Sequence, residues 1–360
     1  MSQARDTSPS AEEPARARET LLRIAHKRIA APRSSLTDLI GPRLDEVRPV
    51  DWLLPEEMSF GRYTELWEEL GAEERLALNH WVYALTYSRI QNGERYVRAA
   101  NETIAEFLDP HVPEVATLLR RESAEERDHI AAFDLSRAQV CRGLGLGGWR
   151  WPGKPLNGLA SAPAAVRALL KTFGVDYVVA YFLGRGIANH MGKGFESPQA
   201  RGDELCPATR DLALHHTLDE SHHMAVSGLI AAAGPALVPG RRPRGALYGR
   251  LRQGLQRTMV RYTFGQELYK SHEARLSRLA LERMPALAER SAAFRGELVT
   301  QHFASLSGLE RSRNQVMPRP NRRLLDQAAL PPEDRALWER ELRAGQGNLR
   351  FFPEERGDAA

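Results

Sequence analysis

Apolar residues recur three and four positions apart through most of the chain, and the strict apolar–polar alternation of a half-buried strand is scarce. This period predicts long helices. One covers Ala72 to Leu108 and ends at the breaker "DPHVP". A second starts near Glu114 and runs to about Cys141, where the glycine-rich "RGLGLGGWRWPGKPLNG" reads as a long loop. A third spans roughly Pro163 to Met191, and "GKGFESPQARGDELCP" is expected to break it. A fourth opens at Pro207, a residue favoured in the first turn, and runs to about Ala233. Two or three more helices fill 245–310. Two consecutive hairpins with long arms imply an all-α protein: a four-helix bundle core with additional flanking helices.

The expected organisation follows from these breaks. Residues 1–18, rich in Ser, Pro, Ala and charge, read as a disordered leader. Residues 19–345 read as one helical domain, with the bundle core at about 72–235 and accessory helices at 245–310, and residues 346–360 read as a tail. The segment 19–70 is expected to pack across the outside of the bundle.

Composition narrows the function classes. The chain has 360 residues, 42% hydrophobic and 27% charged, as in a soluble globular protein. A net charge of +4 is spread over stretches such as "RGALYGRLRQGLQR" and "MPRPNRR". That lacks the dense basic stripe with interleaved aromatics of a nucleic-acid binder, so no nucleic-acid partner is expected. Two distant cysteines, Cys141 and Cys206, with no CxxC, point to a reducing cytoplasm. No apolar leader and no run of about 18 apolar residues is present, so no membrane partner is expected.

The chemistry concentrates in "LHHTLDESHHM", residues 214–224. His216, Glu220 and His223 are spaced by four and three, which puts them on one helix face, where imidazoles and a carboxylate can close on one ion. His215 and His222 are rotated by about 100° from their neighbours and point elsewhere. The second helix repeats the pattern: "EERDH" is Glu125 followed by Glu126-x-x-His129, as "DESHH" is Asp219 followed by Glu220-x-x-His223. One Glu-x-x-His is expected by chance about once in such a chain. Two, each in the second arm of a hairpin, match a carboxylate-bridged dimetal bundle, in which the remaining two helices each add a glutamate. A solvated, ion-paired helix face is the plainer reading of either stretch, and Arg120, Arg121 and Arg127 flank the first.

Residues equidistant from a hairpin turn lie at one height. The first turn centres near Pro110, so Glu94 is level with Glu126, with Glu102 as runner-up. Gly93 beside Glu94 is either a sign of close packing or ligand room, or incidental. His80 lies about 21 Å along the axis from Glu94, too far to join. The third helix lacks a central glutamate: Asp176 is too early and Glu196 is expected in the following loop, leaving Arg185, Asn189 and His190 as polar candidates. Tyr87, Tyr181 and Phe182 read as core. Asp219 could orient a ligating imidazole from outside the ligand set.

Glu94, Glu126-x-x-His129 and His216-x3-Glu220-x2-His223, over roughly residues 75–235, resemble the diiron arylamine N-oxygenases, ferritin-like helical bundles whose fourth helix carries an additional histidine. The resemblance implies Glu94, Glu126 and Glu220 as catalytic metal ligands. It places Glu94, Glu126, His129 and Glu220 on one iron and Glu126, Glu220, His216 and His223 on the other. It also implies a third-helix carboxylate 27 residues before His216, where this chain has Asn189 followed by His190, so these two are the candidate replacements. The implied activity is oxygenation of an amine substrate in natural-product biosynthesis. It would use O2, two iron ions or a mixed Mn/Fe pair, and an external electron donor, in a homodimer. A one-metal oxidase and an inactive helical binding protein remain as alternatives.

Overall fold

The computed structural model describes residues 12–33, 35–147, 163–238, 245–264, 267–315 and 319–343. In chain order its helices are α1 (Glu12–Ala30), α2 (Leu36–Ile40), α3 (Ala72–Leu108), α4 (Pro113–Gly143), α5 (Pro163–Phe173), α6 (Val175–Arg201), α7 (Pro207–Leu237), α8 (Ala246–Phe264), α9 (Glu267–Leu281), α10 (Ala292–Gln315), α11 (Arg319–Gln327) and α12 (Pro332–Arg343). Among the described residues there is no strand. Short 3₁₀ turns connect α2 to α3 and α9 to α10. None of the described helices is long and apolar enough to cross a membrane.

Helices α3 and α4 form one antiparallel hairpin and α6 and α7 the other, and the closest packing in the molecule is within these two pairs. The result is an all-α bundle with a ferritin-like four-helix core. Local chemistry sets its ends. The Glu74 carboxylate accepts from the Gly71 amide at 2.7 Å, closing the start of α3. Pro113 and Pro207 occupy the first turns of α4 and α7, where no amide donor is needed.

The third helical stretch departs from the sequence expectation in its middle and at its C-terminal end. Gly174 adopts φ +52, a conformation open to glycine, and splits the stretch into α5 and α6. At the C-terminal end α6 runs on through Gly192, Gly194 and even Pro198 to Arg201. Packing overrides the weak helix propensity there: Glu196 and Gln199 are fully buried, and Gln199 accepts from the Tyr87 hydroxyl at 3.0 Å and donates to the Thr209 carbonyl at 3.1 Å. Residues 12–18, expected in the leader, belong to α1, and α7 extends past Ala233 to Leu237. The accessory helices continue beyond 310 to Arg343. Residues 1–11, most of the glycine-rich loop (148–158) and the 346–360 tail lie outside the described residues.

Two apolar clusters fill the bundle, one toward each end. The first takes Tyr96 to Leu108 of α3, Val115 to Leu119 of α4, Tyr177 to Ile187 of α6 and Val226 to Leu237 of α7. The second takes Ala77 to Tyr87 of α3, Ala132 to Cys141 of α4, and Ala208 and Leu212 of α7. Tyr87 belongs to the second and Tyr181 and Phe182 to the first, so all three are core residues. Between the clusters, the same helices present Glu94, Glu122, Glu125, Glu126, His129, Glu196, His216, Glu220 and His223, every one of them buried. A polar layer thus crosses the bundle at mid-height. Helix α1 lies over α4 and α7, and its Arg28 reaches into the edge of this layer.

Candidate metal centre

Burying six carboxylates in one layer is unfavourable unless cations accompany them. In this layer the cations are protons on imidazoles, Arg185 within it and Arg28 and Arg121 at its edge, or a metal. Each imidazole turns one nitrogen inward and rests the other on an acid. His129 Nδ1 faces Glu126 Oε2 at 3.6 Å, Glu94 Oε1 at 3.8 Å and Glu220 Oε1 at 4.0 Å, while its Nε2 donates to Asp219 at 3.3 Å. His223 Nδ1 lies 2.9 Å from Glu220 Oε1 and 3.3 Å from Glu126 Oε1, while its Nε2 donates to Glu125 at 3.1 Å. His216 Nε2 lies 2.9 Å from Glu94 Oε1 and 3.6 Å from Glu220 Oε1, and its Nδ1 donates to both oxygens of Glu196 at 2.7–2.8 Å.

The two acid-Glu-x-x-His units therefore brace one another. The acid of each, Glu125 on α4 and Asp219 on α7, holds the histidine of the other. Such outer partners fix the orientation and tautomer of an imidazole that ligates a metal. Glu125 is anchored in turn by Arg28 at 2.8–2.9 Å and Arg121 at 3.0 Å.

Protonation follows the same geometry. Burial pushes the Glu94 carboxyl up to about 7, against the pull of His216. Burial lowers the His129 imidazole, but Asp219 and Glu126 outweigh it and bring it to about 9. His216 and His223 are likewise held well above the ordinary histidine value, burial being outweighed by Glu196 and Glu220 respectively. Burial pushes Glu125 up, but His223, Arg28 and Arg121 draw it down to about 2, and the three histidines hold Glu220 low. Without a metal the imidazolium protons neutralise the carboxylates; a metal ion would displace them.

The donor atoms form two groups, each within 4.8 Å: Glu94, His129, His216 and Glu220; and Glu126, Glu220 and His223. Glu220 belongs to both. Three buried atoms here have no hydrogen-bond partner: Glu94 Oε2, Glu126 Oε2 and His129 Nδ1. Partnerless oxygen and nitrogen atoms on residues of both donor groups fit a divalent transition metal, and imidazole with carboxylate suits iron or manganese.

All six residues singled out on α3, α4 and α7 thus meet. Their grouping differs from the one the resemblance implies, because His216 falls with Glu94 and His129 rather than with Glu126 and His223. Glu102 is exposed and pairs with Arg127 at 3.7 Å. His215 and His222 are exposed, and His80 is held outside the layer by the Asp51 carbonyl at 2.6 Å. On α6, Asn189 and His190 are half-buried, Asn189 Nδ2 and His190 Nδ1 have no hydrogen-bond partner, and His190 is in neither donor group.

Glu196 and Glu122 escaped the sequence reading as members of the layer, and Arg185 stood there only as a polar candidate on the third helix. Glu196 is helical and buried, seven residues and so nearly two whole turns beyond Asn189, on the same face of α6. Arg185 is buried between Glu122, at 2.5 Å, and Glu126, at 3.0 Å. Glu122 precedes Glu126 by four positions, as His216 precedes Glu220, and this parallel was the available signal.

The geometry shows an all-α bundle with a buried carboxylate–histidine cluster able to hold a dimetal centre. Against family models, curated proteins and solved structures alike, the chain finds no match.

Proposed function

We propose that this protein is a metal-dependent oxidoreductase that uses O2 to oxidise an amine, most simply by N-oxygenation. The observation that carries the reading is the pair of donor groups sharing Glu220, framed by two acid-Glu-x-x-His units that brace each other. Glu94, Glu126, His129, His216, Glu220 and His223 would hold two iron ions or a mixed Mn/Fe pair. Bound iron supplies the redox chemistry with O2.

The chain's own residues do the rest. Glu125, Asp219 and Glu196 orient the three imidazoles. Phe133, with its ring 4.8 Å from that of His216, and the apolar clusters on either side keep the layer dry. Hydroxylation of an amine balances as R–NH2 + O2 + two electrons + two protons giving R–NHOH and water, so an external electron donor is required.

The test is metal analysis of protein expressed with ample iron, followed by O2 consumption with an aromatic amine and a reductant. The reading expects bound iron and amine-dependent O2 uptake with a hydroxylamine product. Iron-free protein would overturn it. A one-metal oxidase is the second reading, and the Arg185–Glu126 ion pair favours it, since it engages one oxygen of the three-donor group.

A further inference from the structure

The two donor groups differ in what already occupies them. The group on Glu94, His129, His216 and Glu220 offers four donors, and the partnerless Glu94 Oε2 and His129 Nδ1 belong to it. The group on Glu126, Glu220 and His223 offers three. Its Glu126 Oε1 lies 3.3 Å from His223 Nδ1 and also accepts from Arg185 Nη2 at 3.0 Å, whereas the other oxygen of Glu126 has no partner. Arg185 has only 1% of its side chain exposed and is fixed by Glu122, itself fully buried, at 2.5 Å. Its guanidinium does not lose its charge. A permanent cation is therefore bonded to the Glu126 oxygen that lies beside His223, and among the described residues no arginine or lysine is bonded to Glu94 or Glu220 of the four-donor group.

We propose that the two positions fill unequally, and that Arg185 is the reason. A metal enters the four-donor position first. Filling the three-donor position requires the guanidinium to yield Glu126 Oε1 and to tolerate a second positive centre in a buried layer. Arg185 is a positioning residue that acts through Glu126: it sets the affinity of the second ion and keeps Glu126 aligned while only one ion is bound. Glu122 completes the device, since it neutralises Arg185 when Glu126 turns to the metal. This inference rests on the metal-binding reading above, but it concerns the order and strength of loading rather than the reaction.

The experiment is a titration of the metal-free full chain with Co2+, followed by visible absorption and by calorimetry. The wild type is expected to show a tight first ion and a second that is weaker or unmeasured. Arg185→Met combined with Glu122→Gln removes one buried charge of each sign, so the layer's net charge is kept. In that variant the second affinity is expected to rise by about 10- to 100-fold, the range over which outer partners tune metal sites. The first affinity is expected to stay within a few-fold. If the double variant fails to fold, Arg185→Lys retains a cation for Glu122 but cannot span both carboxylates with a planar fork. It is expected to move the second affinity in the same direction by a smaller factor.

Two equal sites in the wild type, or a second affinity that neither variant alters, overturns the proposal while leaving the metal-binding reading intact. Failure to bind any Co2+ overturns both.

Discussion

Helices α4 and α7 carry the same frame and differ at its first position. On α4 it reads Glu122, Glu125, Glu126, His129; on α7 it reads His216, Asp219, Glu220, His223, with identical spacings. The last three members do the same work on both helices, each acid bracing the other helix's histidine. The first members face opposite partners on α6: Glu122 takes the Arg185 guanidinium, and His216 takes the Glu196 carboxylate. One change of residue type thus makes half of the layer basic in ligands and the other half neutralised by an arginine. The lesson is that a near-symmetric bundle gains two unlike donor groups without altering its helices. Sequence spacing fixes where donors meet, and the first position of the frame fixes what each meeting place can hold.

The largest way to break this comparison is at the residue both halves share. Glu220→Ala removes a donor from each group, and bound metal by elemental analysis is expected to fall to background while circular dichroism keeps the helical signature. The next separates the halves through stability. Glu122→Ala leaves Arg185 buried with one carboxylate instead of two, and breaking a buried pair costs about 3 kcal/mol or more, read as a lowered midpoint in urea. Glu122→Gln, which keeps an acceptor, should recover part of that loss.

A subtler comparison is between the two braces. Asp219→Asn and Glu125→Gln each remove the charge behind one histidine, and each is expected to lower metal affinity by about 10- to 100-fold by calorimetry. On the unequal-loading account, Asp219→Asn weakens the first ion, through His129, and Glu125→Gln weakens the second, through His223. The smallest effect lies outside the layer. Gly93 is exposed, and a Cβ built there meets nothing within 4 Å. Gly93→Ala should stabilise α3 by about 0.4–1 kcal/mol and leave metal binding unchanged. The glycine beside Glu94 makes no room for a ligand.

Much of this architecture was legible from spacing. The repeat of three and four gave α3 its bounds, and counting from the turn at Pro110 put Glu94 level with Glu126. What stayed hidden depends on distant pairing. Arg185 meets Glu122 and Glu126 some sixty residues away, and no local pattern announces that, because a lone arginine on an apolar helix has many possible partners. Glu196 was hidden by its neighbours: two glycines and a proline within four residues of it signal a break. Burial of Glu196 and Gln199 holds the helix through them, which is a tertiary effect that propensity does not encode.

Anomalous diffraction at the iron absorption edge, from crystals of protein loaded with ferrous iron, tests the central claim most directly. The account predicts a strong peak enclosed by Glu94, His129, His216 and Glu220, and a weaker one beside Glu126 and His223. A polar layer free of anomalous density, with its imidazoles still hydrogen-bonded to the same carboxylates, would contradict it.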